Sequence, residues 1–160
     1  VWKAHREAAN ATMIDSDNVL LLRPADAGSR FELAGRARPA NDAADTNAML
    51  FVATIRYLRE PATPALLELM RTRVEPRWRD GGARPLARFV TESAENTFRR
   101  LPVRAGENVL VTFAAFVDEA QHRRFQASDA FRDSEAELQP YLARAGETLR
   151  LQPTRRSLLR

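Results

Sequence analysis

The chain of 160 residues predicts an α+β fold: a four-stranded antiparallel sheet with two helices on one face. Three observations carry this. Between Met49 and Leu151, segments of apolar and β-branched residues alternate with segments of helical spacing, in the order strand, helix, strand, strand, helix, strand. Two of the strands are apolar on both sides. A helix-then-strand stretch at the N-terminus recurs at the C-terminus with the same spacing. The order is that of the split β-α-β, or ferredoxin-like, arrangement.

Val1 to Met13 reads as the last turns of a helix with Trp2, Ala9 and Met13 near one face, and Asn18 to Arg23 as a strand stopped by Pro24. Ala25 to Asn47 has the Ala, Asp, Gly, Arg and Pro texture of a linker, in which Phe31 and Leu33 can pin it to a neighbouring surface. Met49 to Leu58 is a strand. Thr63 and Pro64 form an N-cap and N1 pair for a helix carrying Leu66, Leu67, Met70, Val74 and Trp78, which ends at Gly81 and Gly82 and is disturbed by Pro76. Leu86 to Thr91 and Asn108 to Val117 are strands. Asp118 and Gln121 stand in capping-box relation at the head of a helix with His122, Phe125 and Phe131, interrupted near Ser128 and Pro140. Thr148 to Leu151 closes the set.

Laid over each other, Trp2 to Pro24 and Phe131 to Pro153 match Leu20 with Leu149 and Leu22 with Leu151. The expected organisation is therefore the end of a preceding repeat at 1–24, a linker at 25–47 and a complete ferredoxin-like domain at 48–160. Alternation sends Leu50, Val52, Thr54 and Arg56 to one side of the first strand and Phe51, Ala53, Ile55 and Tyr57 to the other. With helices for one face only, the other is expected to pack on a second sheet, from another copy or the preceding repeat, to close a barrel; the chain alone would then expose a large apolar patch.

The formal net charge is only +4, and arginines are interspersed with carboxylates along the chain, so no nucleic-acid partner is expected. The cluster of Arg155, Arg156 and Arg160 reads as a solvated tail. There is no cysteine, which excludes a disulfide framework and a thiolate nucleophile and fits a reducing cytoplasm. No apolar run has the length of a membrane span.

The connection from Thr91 to Asn108 is long and specific in texture, with Thr91-Glu92-Ser93-Ala94-Glu95-Asn96-Thr97-Phe98 followed by Leu101-Pro102-Val103-Arg104-Ala105-Gly106-Glu107-Asn108. This run, the helix with His122 and the closing Leu149-Arg150-Leu151-Gln152-Pro153 resemble the NIPSNAP family, over about Ala48 to Leu159. Arg99 and Thr112 depart from it, standing where relatives carry proline and an aromatic. The resemblance implies a dimeric α+β barrel, in a superfamily that includes cofactor-free monooxygenases and haem-degrading enzymes; it implies no reaction.

Candidate site residues follow from residue type. Thr54, Arg56 and Thr112 are polar intrusions on apolar strand faces, as in a ligand pocket, although Arg56 near a strand end can also reach solvent. His122 can serve as a base or ligand, or be a surface histidine; His5 reads as solvated. Glu92, Glu95 and Asn96 can line the barrel mouth with Arg104 as an anion clamp, or Glu92 and Arg104 can pair and hold the loop shut over inward-packed Leu101 and Val103. No metal motif, phosphate loop or nucleophile triad is present, and no cofactor is expected. Two functions stay open: a barrel-forming binding or interaction module that takes a small hydrophobic ligand, and a cofactor-independent monooxygenase-like enzyme for such a substrate.

Overall fold

The computed structural model describes residues 19–40, 49–98 and 102–159, with His5, Glu7, Ala8, Ala11 and Asp42 besides. The expected N-terminal helix face of Trp2, Ala9 and Met13, together with Arg99 and Leu101, lies outside the described residues.

Two central strands organise the chain: β2, Leu50–Leu58, and β4, Val109–Phe116. They pair antiparallel from Leu50↔Phe116 to Tyr57↔Val109. β3, Arg84–Thr91, and the short β1, Leu22–Pro24, extend the sheet on the β4 side, and β5, Leu142–Leu151, extends it on the β2 side. The order is β1-β3-β4-β2-β5, antiparallel throughout. Omitting β1, it is the ferredoxin-like order that the pattern of elements predicts.

The helices share one face. Thr63 caps α1, Pro64–Leu69, by accepting from the Leu66 amide. The chain continues through a π-helical turn, Met70–Val74, into α2, Glu75–Asp80. Pro76 stands directly after this turn, where the Glu75 amide already donates to the Met70 carbonyl in π-helical spacing, and Trp78 still reaches the core. Asp118 caps α3, Glu119–Gln126, through the Gln121 amide, while the Gln121 side chain accepts from the Val117 amide. Ser128 separates α3 from α4, Asp129–Leu138, by capping Phe131 and donating to the Phe125 carbonyl. Leu66, Met70, Val74, Trp78, Phe125 and Leu138 then pack on Leu50, Val52, Val90, Leu110 and Phe116.

Two expectations change. The closing strand is ten residues long, not the four of Thr148 to Leu151. Its polar first half is held by backbone pairing to β2, with Leu142 opposite Leu58 and Arg144 opposite Tyr57, across a register shift. At Gly146 a Cβ would sit 2.6 Å from the Ile55 carbonyl oxygen, so only glycine permits that approach. β1, for its part, pairs with β3 as an edge strand of this sheet, and Val19 bridges to Val103.

The second face is not bare either. Phe51, Ala53, Ile55, Tyr57 and Val111 are all buried, without a second sheet among the described residues. Leu20 and Leu22 pack on Ile55, Tyr57, Val109 and Val111. Phe31 sets its ring 5.0 Å from Phe113 and 5.7 Å from Phe89. Residues 30–40 and the tail from 152 lie across the rest, linked where Arg36 and Arg38 donate to the carbonyls of Leu158 and Arg156. The large patch expected on the isolated chain is thus mostly covered by its own irregular segments. Exposure persists at the β5 edge, with Leu149 47% and Leu151 39% exposed.

Phe31→Ala is expected to lower stability by about 2 kcal/mol, since the ring is only partly buried, and to uncover Phe89 and Phe113. Urea unfolding checks the first effect. Sedimentation checks the second, as concentration-dependent self-association stronger than that of the parent chain.

Candidate functional site

A cavity of about 200 Å³ lies between the helix face of the sheet and the helices. Period-two alternation directs Thr54 and Arg56 of β2 and Thr112 of β4 toward it, and α2, α3 and α4 add Trp78, His122 and Glu135. Phe116, Phe125 and Phe131 supply apolar wall.

Arg56 dominates the polar side. It is 3% exposed, so it does not escape to solvent. Its Nη1 donates to Thr112 Oγ1 at 3.1 Å and its Nη2 to Glu135 Oε1 at 2.5 Å, and the guanidinium lies 5.3 Å from the Trp78 ring centroid. The pair leaves the cavity wall near neutral. Arg56 Nε, Trp78 Nε1 and His122 Nδ1 are buried without a hydrogen-bond partner among the described residues. Groups in that state are costly unless something satisfies them.

His122 is buried, contrary to the surface reading of a first-turn histidine. The Asp118 cap fixes the rotation of α3 so that His122 and Phe125 both face the sheet, and the His122 ring packs 4.8 Å from Phe116. Burial holds its pKa below the ordinary value, Arg150 lowers it further, and Glu119 opposes both. The ring is therefore neutral near pH 7 and able to accept or donate one hydrogen bond.

Glu92, Asn96 and Arg104 stand elsewhere. They line a separate depression of about 130 Å³ with Leu20, Leu21 and Val103. Glu92 and Arg104 do not pair: Glu92 accepts from the Ala94 amide and Asn96 from the Phe98 amide, both capping turns in their own loop. Arg104 donates to Tyr57 Oη at 2.9 Å and lies 3.7 Å from Glu147, to which the Tyr57 hydroxyl also donates. Arg144 stacks 3.3 Å from the Tyr57 ring centroid and pairs with Glu107. Neighbours in sequence, Arg56 and Tyr57 point to opposite faces, and that separates the two groups. Glu95 and His5 are exposed. Sequence reading missed Trp78 and Glu135 as site residues. Glu135 could have been found four residues after Phe131, as a carboxylate on the apolar stripe of its helix. Among the described residues, no group of three His, Asp or Glu is placed to hold a metal, and no helix is long and apolar enough to cross a membrane.

No protein-family model and no curated protein matches the chain. Solved structures do. A NIPSNAP family protein of unknown function from Agrobacterium tumefaciens is 16% identical, with a TM-score of 0.52, over 72% of this chain and 96% of that one. Another NIPSNAP family protein of that organism gives 16% identity and 0.53 over 70% and 99%. An uncharacterized NIPSNAP-like domain protein from Burkholderia xenovorans gives 18% and 0.51 over 68% and 87%. At these identities the likeness is one of fold: the chain has a NIPSNAP-like α+β fold.

Glu135→Ala strands the Arg56 charge and is expected to cost about 2–4 kcal/mol, moderated because Glu135 is 33% exposed. The double variant Arg56→Met, Glu135→Leu should recover most of that loss in urea unfolding. For His122, a folded-state pKa below the unfolded value means that the unfolded chain takes up a proton first as pH drops below about 6.5. Stability should fall with pH in that window, and His122→Leu should remove this contribution, as read by thermal melting at stepped pH.

Proposed function

We propose that this chain is a small-molecule-binding module whose site is the cavity on the helix face of the sheet. One observation carries the reading: an ion pair and three unpaired buried nitrogens belong to residues that wall a cavity between sheet and helices. A sheet-to-helix interface built only for stability would be filled with apolar side chains, because a buried ion pair is seldom worth more than its hydrophobic replacement.

The volume is below the ~300–1,000 Å³ of pockets for drug-sized ligands, so the ligand is small. Trp78, Phe116, Phe125 and Phe131 favour an apolar, ring-sized body. Arg56 Nε and Trp78 Nε1 can only donate, so the polar end of the ligand offers acceptors, and His122 serves either sense. The Arg56–Glu135 pair makes a neutral acceptor a better match than a full negative charge. Thr54 and Thr112 complete the polar strip along the sheet. No observation favours the monooxygenase-like alternative over binding.

Barrel closure by a second copy, or by a preceding repeat that ends at Pro24, belongs to the same proposal only if residues 30–40 and the tail give way, since they occupy that face.

Native mass spectrometry of the chain purified without denaturation is expected to show a retained small species. Thr112→Val, close in volume but without the hydroxyl, should reduce its occupancy about tenfold with unchanged circular dichroism. A chain that retains nothing, and whose Trp78 fluorescence in a Trp2→Phe background responds to no ring-sized carbonyl compound, would overturn the reading.

A further inference from the structure

The second face carries a larger opening, independent of the helix-face cavity. Between the strap at 30–40, the tail and the sheet runs a groove of about 470 Å³, more than twice the volume of the other and within the range of pockets that take whole ligands. Phe51, Phe113 and Leu151 form its floor, and Leu33 and Leu158 its walls. Leu151 remains 39% exposed there.

The charge around this apolar floor is predominantly positive. The strap at 30–40 contains Arg30, Arg36 and Arg38 against the single carboxylate Glu32, and residues 150–159 contain Arg150, Arg155 and Arg156 and no carboxylate. Arg150 pairs with Glu119 on the helix side. Arg36 and Arg38 donate only to the carbonyls of Leu158 and Arg156, at 3.0 and 3.3 Å, and neither they nor Arg155 and Arg156 have an ion-pair partner among the described residues. The buried arginines differ: Arg56 and Arg88 both have carboxylates within 2.5 Å. Arg38 itself lines the groove.

An apolar floor under an uncompensated guanidinium rim matches an amphiphile with an anionic head. We propose that this groove binds a single-chain alkyl carboxylate of the fatty-acid class, its chain along Phe51, Phe113 and Leu151 and its carboxylate at Arg38 and Arg36. A groove of this volume suits a single alkyl chain, whereas an α-helix is ~10–12 Å across.

Titration calorimetry of the full chain with decanoate, kept below micelle formation, tests this against two probes of equal chain length, decyltrimethylammonium and decyl maltoside. Saturable binding of one decanoate per chain is expected, with the other two at least tenfold weaker. Arg36→Ala with Arg38→Ala should weaken decanoate about tenfold, and Leu158→Glu should abolish binding; both changes lie on the surface segments, and unaltered thermal melting confirms the fold. Equal affinity for all three probes, or none for decanoate, overturns the proposal. So does decanoate binding lost in Thr112→Val but kept in the arginine variant, which would place the ligand in the helix-face cavity. Co-sedimentation with vesicles of anionic phospholipid that decanoate does not compete away would assign the rim to a membrane surface, and a stable dimer that excludes decanoate would assign the face to a second copy. Either result refutes a free fatty carboxylate as the occupant.

Discussion

A sheet whose central strands are apolar on both faces must be covered twice, and most of this structure answers to that demand. β2 and β4 present buried side chains almost without interruption, so neither face can meet water. Regular helices cover one side. On the other, Leu20, Leu22, Phe31 and a C-terminal tail do the covering with little secondary structure of their own. The two covers have different physical characters. Helices lay down a continuous apolar stripe and leave one defined cavity; irregular segments touch at a few anchors and leave an open groove between them.

Charge placement follows the same division. Arg56 and Arg88 both rise from the helix face of the sheet, and each is 4% exposed at its side chain. Arg88 is neutralised by Glu75 of α2 and by Asp26 at 2.5 Å, which fastens the 25–29 turn to β3, where the Ala25 amide donates to the Arg88 carbonyl and the Arg88 amide to that of Ser29. That arginine is structural: its carboxylates come from segments it joins. Arg56 joins β2 to α4 through Glu135 as well, and both arginines keep Nε unpaired, but Arg56 does so at the wall of the 200 Å³ cavity and Arg88 at a depression of about 90 Å³. The difference between a clamp and a site residue is therefore the size of the space beside it, not the ion pair.

The long connection from Thr91 to Asn108 shows how a specific-looking sequence can serve the scaffold. Its polar residues cap its own turns, the Thr91 hydroxyl accepts from the Val109 amide and donates to the Glu107 carbonyl, and Arg104 reaches across to Tyr57. Tyr57, 1% exposed, is clasped by Arg104, Arg144 and Glu147 from two different segments. The result locks loop, β2 and β5 together on the face away from the cavity.

The sequence by itself determined the order and type of the elements, the helix caps at Thr63 and Asp118, the interruption near Ser128, and which side of β2 and β4 each residue takes, because caps and period-two alternation are local and survive any tertiary arrangement. It therefore placed Thr54 and Arg56 on one side of β2 before the helices were located, and the pairing with β4 brought Thr112 to the same face. Tertiary structure decided the rest. The first half of β5 reads as loop in Ala143, Arg144, Ala145 and Gly146, and becomes strand only because β2 offers an edge and Gly146 can approach the Ile55 carbonyl. Burial of His122, the carboxylate that Arg56 finds in Glu135, and the partner that Arg104 takes in Tyr57 instead of Glu92 all depend on elements far apart in the chain. The cover on the second face depends on them too, since no local signal tells Phe31 which surface it will meet.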